Sequence, residues 1–93
     1  MIQEALLPGK ENLKTTEELV KYYKLDSVRE LTQIINKERT SGAVILSTTS
    51  NGGGYYLPAD DLEIKEFIRS MDNRVKRINQ ATESARKLLE AMK

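Results

Sequence analysis

Residues 42–58, GAVILSTTSNGGGYYLP, contain two short apolar runs separated by a polar segment that ends in three glycines. The runs Val44–Leu46 and Tyr55–Leu57 are rich in β-branched, aromatic and aliphatic side chains, which favour strands. Between them, Asn51-Gly52 is a strong hairpin signal because both positions tolerate a positive φ. The stretch therefore predicts a β-hairpin. An isolated two-stranded hairpin is barely stable in water, so we expect this one to pack against helices.

Three helices are predicted before the hairpin. Residues 1–7 form a short one that ends at Pro8-Gly9, and residues 10–14 are a connector. Thr15 and Ser27 each stand three residues before a glutamate, the spacing of a capping box. They predict a second helix of about two turns and a third helix that continues to about Ser41 and stops at Gly42. Val28 falls on the apolar stripe of the third helix, and the predicted core consists of Leu19, Val20, Tyr23, Leu31, Ile34, Ile35, Ile45 and Leu57.

Two short helices joined by a tight turn and followed by a hairpin form a winged helix-turn-helix. In this order, TTEELVKYYKL (15–25), DSVRELTQIINKERTSG (26–42) and AVILSTTSNGGGYYLP (43–58) resemble the winged helix-turn-helix DNA-binding domains of bacteria and their phages. The resemblance covers residues 1–58, and Gly53–Leu57 is similar to the second wing strand of small prophage regulators. It implies a mainly α fold with a β-hairpin wing, a winged domain over residues 1–59 and a role in binding double-stranded DNA. Two departures concern the turn: Lys24 stands where glycine is usual, and the turn is one residue longer.

The third helix carries the predicted DNA-reading face. With its apolar stripe turned inward, a step of 100° per residue places polar side chains on the opposite side. Arginine can bind guanine O6 and N7, asparagine or glutamine can pair with adenine, and lysine or threonine can reach phosphates. Any solvated helix face is polar, so this face alone does not establish DNA binding; the helix order and the wing favour it. The predicted DNA-binding residues of this helix are Arg29, Thr32, Gln33, Asn36, Lys37 and Thr40.

The hairpin tip is a second candidate DNA contact. Thr48, Thr49 and Asn51 can donate hydrogen bonds to phosphates. The tip has no lysine or arginine, however, so counterion release adds nothing to its affinity for DNA. A plain turn explains it equally well. Tyr55 and Tyr56 alternate across their strand, so one is expected to face the core and the other to face out.

The segment 60–93 predicts one long helix capped at Asp60-Asp61, with apolar residues at heptad spacing. Leu62, Phe67 and Ile68 are expected to close the domain, while the far end needs another surface. We expect a coiled-coil homodimer; the alternative is a break near Asp72-Asn73 that folds the helix back. The basic residues of this helix have acidic neighbours, which favours a solvated face. The predicted dimerisation residues are Ile64, Ile68, Met71, Val75, Ile78 and Leu89.

Composition limits the other function classes. The 93 residues contain no Cys and no His, which removes the usual metal ligands and nucleophile–base pairs, and the formal net charge is only +1. We therefore expect no enzyme activity, no metal and no cofactor, and, without a membrane span or signal pattern, a cytoplasmic protein. Two functions compete: a sequence-specific DNA-binding protein, as a small regulator of transcription or a replication or excision accessory factor, and a protein-interaction module that uses the same fold without DNA.

Overall fold

The fold is a helix-turn-helix followed by an antiparallel hairpin and one long helix, in a computed structural model that describes residues 1–49 and 52–92. Two 3₁₀ turns, Gln3–Ala5 and Lys10–Asn12, come first. The predicted fold class, mainly α with a β-hairpin and a long C-terminal helix, is confirmed. In chain order the main elements are α1 (Thr16–Tyr22), α2 (Val28–Thr40), β1 (Leu46–Thr48), β2 (Gly54–Tyr56) and α3 (Asp61–Ala91).

The two helices of the helix-turn-helix begin at the predicted capping residues. Thr15 Oγ1 accepts a hydrogen bond from the backbone N–H of Glu18, with an N···O distance of 3.1 Å. Ser27 Oγ accepts one from the backbone N–H of Glu30 at 3.2 Å. Lys24, in the turn between them, has a φ of 53°, in the left-handed region that glycine usually occupies. The helix order therefore holds although the turn residue is conformationally strained.

The predicted hairpin is confirmed, but its strands are displaced along the chain. Strands β1 and β2 pair antiparallel, with Leu46 opposite Tyr56 and Thr48 opposite Gly54. Val44 and Ile45, expected in the first strand, precede it, and Val44 is half exposed. A Cβ atom at Gly54 would lie 2.5 Å from Leu13 Cδ1, so this position has no room for a side chain.

The N-terminal segment supports the hairpin as a third extended piece. Lys14 exchanges two backbone hydrogen bonds with Tyr55, each with an N···O distance of 2.9 Å. Leu57 donates to the carbonyl of Leu7 at 2.9 Å and accepts from the N–H of Gly9 at 2.8 Å. The prediction of a helix over residues 1–7 is therefore right only for one 3₁₀ turn, because the chain that follows is extended and pairs with the hairpin.

The core is formed by α1, α2, the hairpin and the N-terminal segment. The predicted core residues Val20, Tyr23, Ile34 and Leu57 are only partly buried against it. Val28, predicted on the apolar stripe, is half exposed because it is the first residue of α2. The buried residues include four from the predicted core, Leu19, Leu31, Ile35 and Ile45, and four others, Ile2, Leu6, Leu46 and Tyr56. Tyr56 is thus the one of the two hairpin tyrosines that faces the core, as the strand alternation predicts for one of them.

The carboxylate of Glu38 fixes the N-terminal segment to α2. It accepts hydrogen bonds from the backbone N–H groups of Ile2 and Gln3, at 2.9 and 3.1 Å, and lies 3.1 Å from the amino group of Met1. Burial of Glu38 would raise its pKa, but these donors outweigh that effect and hold the pKa below its usual value. Tyr23 Oη adds a hydrogen bond of 2.7 Å to the Met1 carbonyl.

Helix α3 is continuous over 31 residues and about 46 Å long at 1.5 Å per residue. Asp60 caps it by accepting from the backbone N–H of Glu63 at 2.9 Å. The alternative of a break near Asp72-Asn73 is wrong. Leu62 and Ile68, expected to close the domain, are 60% and 51% exposed. We call residues 1–71 the winged body and residues 72–91 the distal part of α3; every residue of the distal part is exposed.

Candidate nucleic-acid interface

The outward face of α2 presents all six of its predicted DNA-binding side chains to solvent. Arg29 and Lys37 make no ion pair within the described residues. Nearby carboxylates are engaged elsewhere: Glu30 accepts from the backbone N–H of Asp26 at 2.9 Å, and Glu38 binds the N-terminal segment. The two cations are therefore available for a phosphate or a base edge.

The two threonines of this face have their hydroxyl protons engaged. Thr32 Oγ1 donates to the Val28 carbonyl at 3.1 Å, and Thr40 Oγ1 donates to the Asn36 carbonyl at 2.8 Å. The prediction that Thr40 donates to a phosphate therefore requires that this bond be broken. In the observed rotamers, both threonines offer oxygen lone pairs and a methyl group, which suits contact with a thymine methyl.

The predicted DNA-binding residues fall into two groups. Thr32 and Asn36 of α2 line a groove of about 970 Å³ together with Thr48 and Thr49 of the hairpin. The other predicted residues of α2 lie outside this groove, on the remaining exposed surface of the helix: Arg29, Gln33, Lys37 and Thr40. Asn51, predicted at the hairpin tip, lies outside the described residues.

Arg39 is a residue that the sequence analysis missed, and it joins α2 to the rest of the groove wall. Its Nε donates to the Ile45 carbonyl at 2.8 Å, and one terminal nitrogen lies 3.4 Å from Ser47 Oγ. The guanidinium lies 5.9 Å from the ring centroid of Tyr55 and 5.2 Å from that of Phe67. Burial lowers the pKa of Arg39, against a smaller opposite effect of Tyr55, yet no carboxylate in the described residues pairs with it.

Helix α3 forms the other wall of the groove. Phe67 and Met71, at the end of the winged body, are partly buried, and Arg74, Arg77 and Ile78 continue the same wall into the distal part. Acidic neighbours predict only a solvated face for these arginines. Their position over the groove depends on where α3 crosses the hairpin, which periodicity cannot reveal.

The predicted dimerisation residues also divide between two environments. Ile64 and Met71 are partly buried in the single chain. Ile68, Val75, Ile78 and Leu89 are 51–63% exposed. The row of dimerisation residues, which we call the seam, thus starts within the winged body and continues along the distal part of α3 as an exposed strip that is apolar except at Thr82.

Two acidic residues that precede or begin α3 have structural partners. Asp60 caps the helix, and Asp61 lies 3.5 Å from Lys65 Nζ. Over the described ranges, no three acidic side chains cluster in a way that could hold a metal ion. None of the helices in those ranges combines the length and the apolarity that crossing a membrane requires.

Comparison with protein families, with curated proteins and with solved structures gives no match. The inference of function therefore rests on the geometry and chemistry of the site.

Proposed function

We propose that the protein is a sequence-specific binder of double-stranded DNA that places α2 in the major groove. The observation that carries this proposal is the outward face of α2, the second helix of the helix-turn-helix, where Arg29, Gln33 and Asn36 are exposed. A helix in this position can enter a major groove, which is about 12 Å wide. The role in the cell would be that of a small regulator of transcription or a replication or excision accessory factor.

The side chains of α2 have separate tasks in this proposal. Arg29 suits a guanine edge, and Gln33 or Asn36 suits adenine, since each can form two hydrogen bonds to its base. Lys37, exposed and without an ion pair in the described residues, suits a phosphate. Base contacts determine which sequence is bound, whereas the phosphate contact adds affinity for every sequence.

A second copy of the chain would cover the apolar strip of α3. The positions from Ile64 to Met92 alternate at steps of four and three, which matches the 3.5-residue period of paired helices. All are apolar except Thr82, and Val75, Ile78 and Leu89 are more than half exposed. Two copies bury identical strips against each other, which removes an exposed patch from water on both chains. The proposal is therefore a homodimer joined through α3, with two copies of α2 for two DNA half-sites.

A titration of salt against DNA affinity tests the proposed function. In fluorescence anisotropy with a selected duplex, Arg29→Ala and Gln33→Ala should each weaken binding by about 1–3 kcal/mol and relax base preference. Lys37→Ala should weaken binding to all sequences and reduce the salt slope by about 1. Arg69→Ala, which removes an exposed charge on α3 outside the groove, is the control and should change little.

The second candidate function is a protein-interaction module. The exposed apolar strip and the near-zero net charge favour it, since neither feature requires a polyanion. A protein of this kind would show no binding to any duplex even at low salt, a result that would reject DNA binding. Sedimentation equilibrium on the wild-type chain tests the dimer separately, because a monomer at micromolar concentration would refute it.

A further inference from the structure

The groove between α2, the hairpin and α3 concentrates positive charge. Over the whole chain, 15 basic residues are nearly balanced by 14 acidic ones. In the groove, by contrast, four cationic side chains face one carboxylate: Lys10, Arg39, Arg74 and Arg77 against Glu66. Since the groove is concave and open to water, its field favours an extended polyanion over a neutral ligand.

Arg74 and Arg77 are the two cations that α3 contributes to this groove. Both are exposed, and no ion pair within the described part of the chain engages either one. Three residues apart on a helix, they project from neighbouring turns and are separated by about 4.5 Å along the axis. Phosphates on one strand of B-DNA advance by about 3.4 Å per nucleotide, so two long side chains at this spacing can reach successive phosphates.

The opposite wall belongs to the proposed reading helix. Thr32 and Asn36 of α2 line the same groove, with Thr49 of the hairpin beside them. A duplex that presents its base edges to α2 therefore places a strand of its backbone toward α3. Arg39 of α2 donates to the Ile45 carbonyl and lies against the rings of Tyr55 and Phe67, so one side chain contacts both walls.

We infer that this groove holds the sugar–phosphate backbone of the duplex that α2 reads, and that Arg74 and Arg77 bind its phosphates. The inference rests on the proposed function and adds phosphate contacts from α3, across the groove from α2 and the hairpin. The described residues of the hairpin carry no charge, so in this inference the basic side chains that add affinity for DNA come from α3.

The test is the double variant Arg74→Gln/Arg77→Gln in the full chain. Loss of two phosphate contacts should reduce the slope of log K against log salt by about 1.8 and leave base preference unchanged. The matched control is Arg69→Gln/Lys76→Gln. It removes the same charge from the same helix at exposed positions that do not line the groove, and should change the slope far less.

Two further variants test whether the charge in the groove, and not another consequence of the substitutions, changes DNA affinity. Arg74→Lys/Arg77→Lys keeps both charges and should retain the wild-type slope, since lysine binds phosphate as a point charge. Glu66→Gln removes the carboxylate of the groove and should strengthen binding. Sedimentation should show the wild-type oligomeric state for every variant.

The experiment distinguishes a failure of the groove inference from a failure of the proposed DNA binding. If the wild type binds DNA and the groove variant matches its control, the groove inference is overturned while the proposed function stands. A loss of slope in the lysine variant would also count against phosphate binding, because charge is preserved there. If the wild type binds no duplex at any salt, the proposed function fails and the groove inference fails with it.

Discussion

The winged body buries many of its apolar side chains, whereas the distal part of α3 exposes all of them. In the body, Leu31 and Ile35 are 0% and 1% exposed, whereas Val75 and Ile78 on α3 are 55% and 56% exposed. The body closes its core with two short helices, a hairpin and the N-terminal segment, and it needs nothing from residues beyond Met71. One chain thus holds two apolar surfaces: one is buried and stabilises the fold, and the other is exposed and available to a partner.

The largest expected effect comes from the core of the body. Leu31→Ala removes a fully buried side chain and leaves a cavity, which should cost about 2–5 kcal/mol of unfolding free energy. Leu89→Ala deletes the same atoms from the distal part of α3, where the side chain is 63% exposed. At concentrations low enough to keep the chain monomeric, it should cost less than about 1 kcal/mol. Urea unfolding of both variants measures the difference, and equal losses would refute the division into two surfaces.

The next effect concerns association. Val75→Glu/Ile78→Glu puts four charges into the proposed dimer seam and should weaken self-association by about 3 kcal/mol or more, over a hundredfold in Kd. The control Asn73→Glu/Gln80→Glu adds the same charges to exposed polar positions on the opposite side of α3. Sedimentation equilibrium should find monomers only for the seam variant, while circular dichroism should show that the winged body of both variants remains folded. A seam variant that stays dimeric would place the interface elsewhere.

The parts of the fold that were predictable depend on neighbours in sequence. Thr15, Ser27 and Asp60 each receive a hydrogen bond from a backbone N–H three residues later, so the residue type and spacing are sufficient to predict the helix starts. The hairpin follows from the same kind of local chemistry, whereas the positive φ of Lys24 does not, because local chemistry favours glycine there.

The parts that were not predictable depend on contacts between distant segments. The burial of Ile2 and Leu6 follows from pairing between the N-terminal segment and the hairpin, and no helix or strand period signals such pairing. For the candidate site, the α2 face was predictable from a helical step. The role of Arg39 and the position of Arg74 over the groove were not, because both require the crossing of α3 over the hairpin.

A smaller, pH-dependent effect tests how the body holds its N-terminal segment. The lowered pKa of Glu38 means that its contribution to stability is present above the unfolded-state pKa and is lost as pH falls through the lowered folded-state value. Glu38→Gln should therefore cost about 1–2 kcal/mol near pH 7, and its deficit should shrink in acid. Glu11→Gln, at an exposed carboxylate, is the control and should cost little at either pH. A deficit for Glu38→Gln that does not change between pH 7 and pH 3 would contradict the hydrogen-bonding account.

The smallest expected effect is a gain in stability, at Lys24 in the turn between α1 and α2, where the backbone is strained. Lys24 has a φ of 53°, a conformation that costs an ordinary residue about 1–2 kcal/mol and costs glycine almost nothing. Lys24→Gly removes that strain, but it also gives the unfolded chain more conformational freedom, so the net gain should be only about 0.5 kcal/mol. Lys21→Gly is the matched control, because Lys21 lies inside α1 and glycine should cost about 1 kcal/mol there. Urea unfolding should therefore show a higher unfolding free energy for Lys24→Gly and a lower one for Lys21→Gly, although the substitution is the same and the positions are three residues apart. If Lys24→Gly destabilised the protein as much as Lys21→Gly, the left-handed turn between α1 and α2 would be refuted, and with it the helix geometry on which the α2 reading face depends.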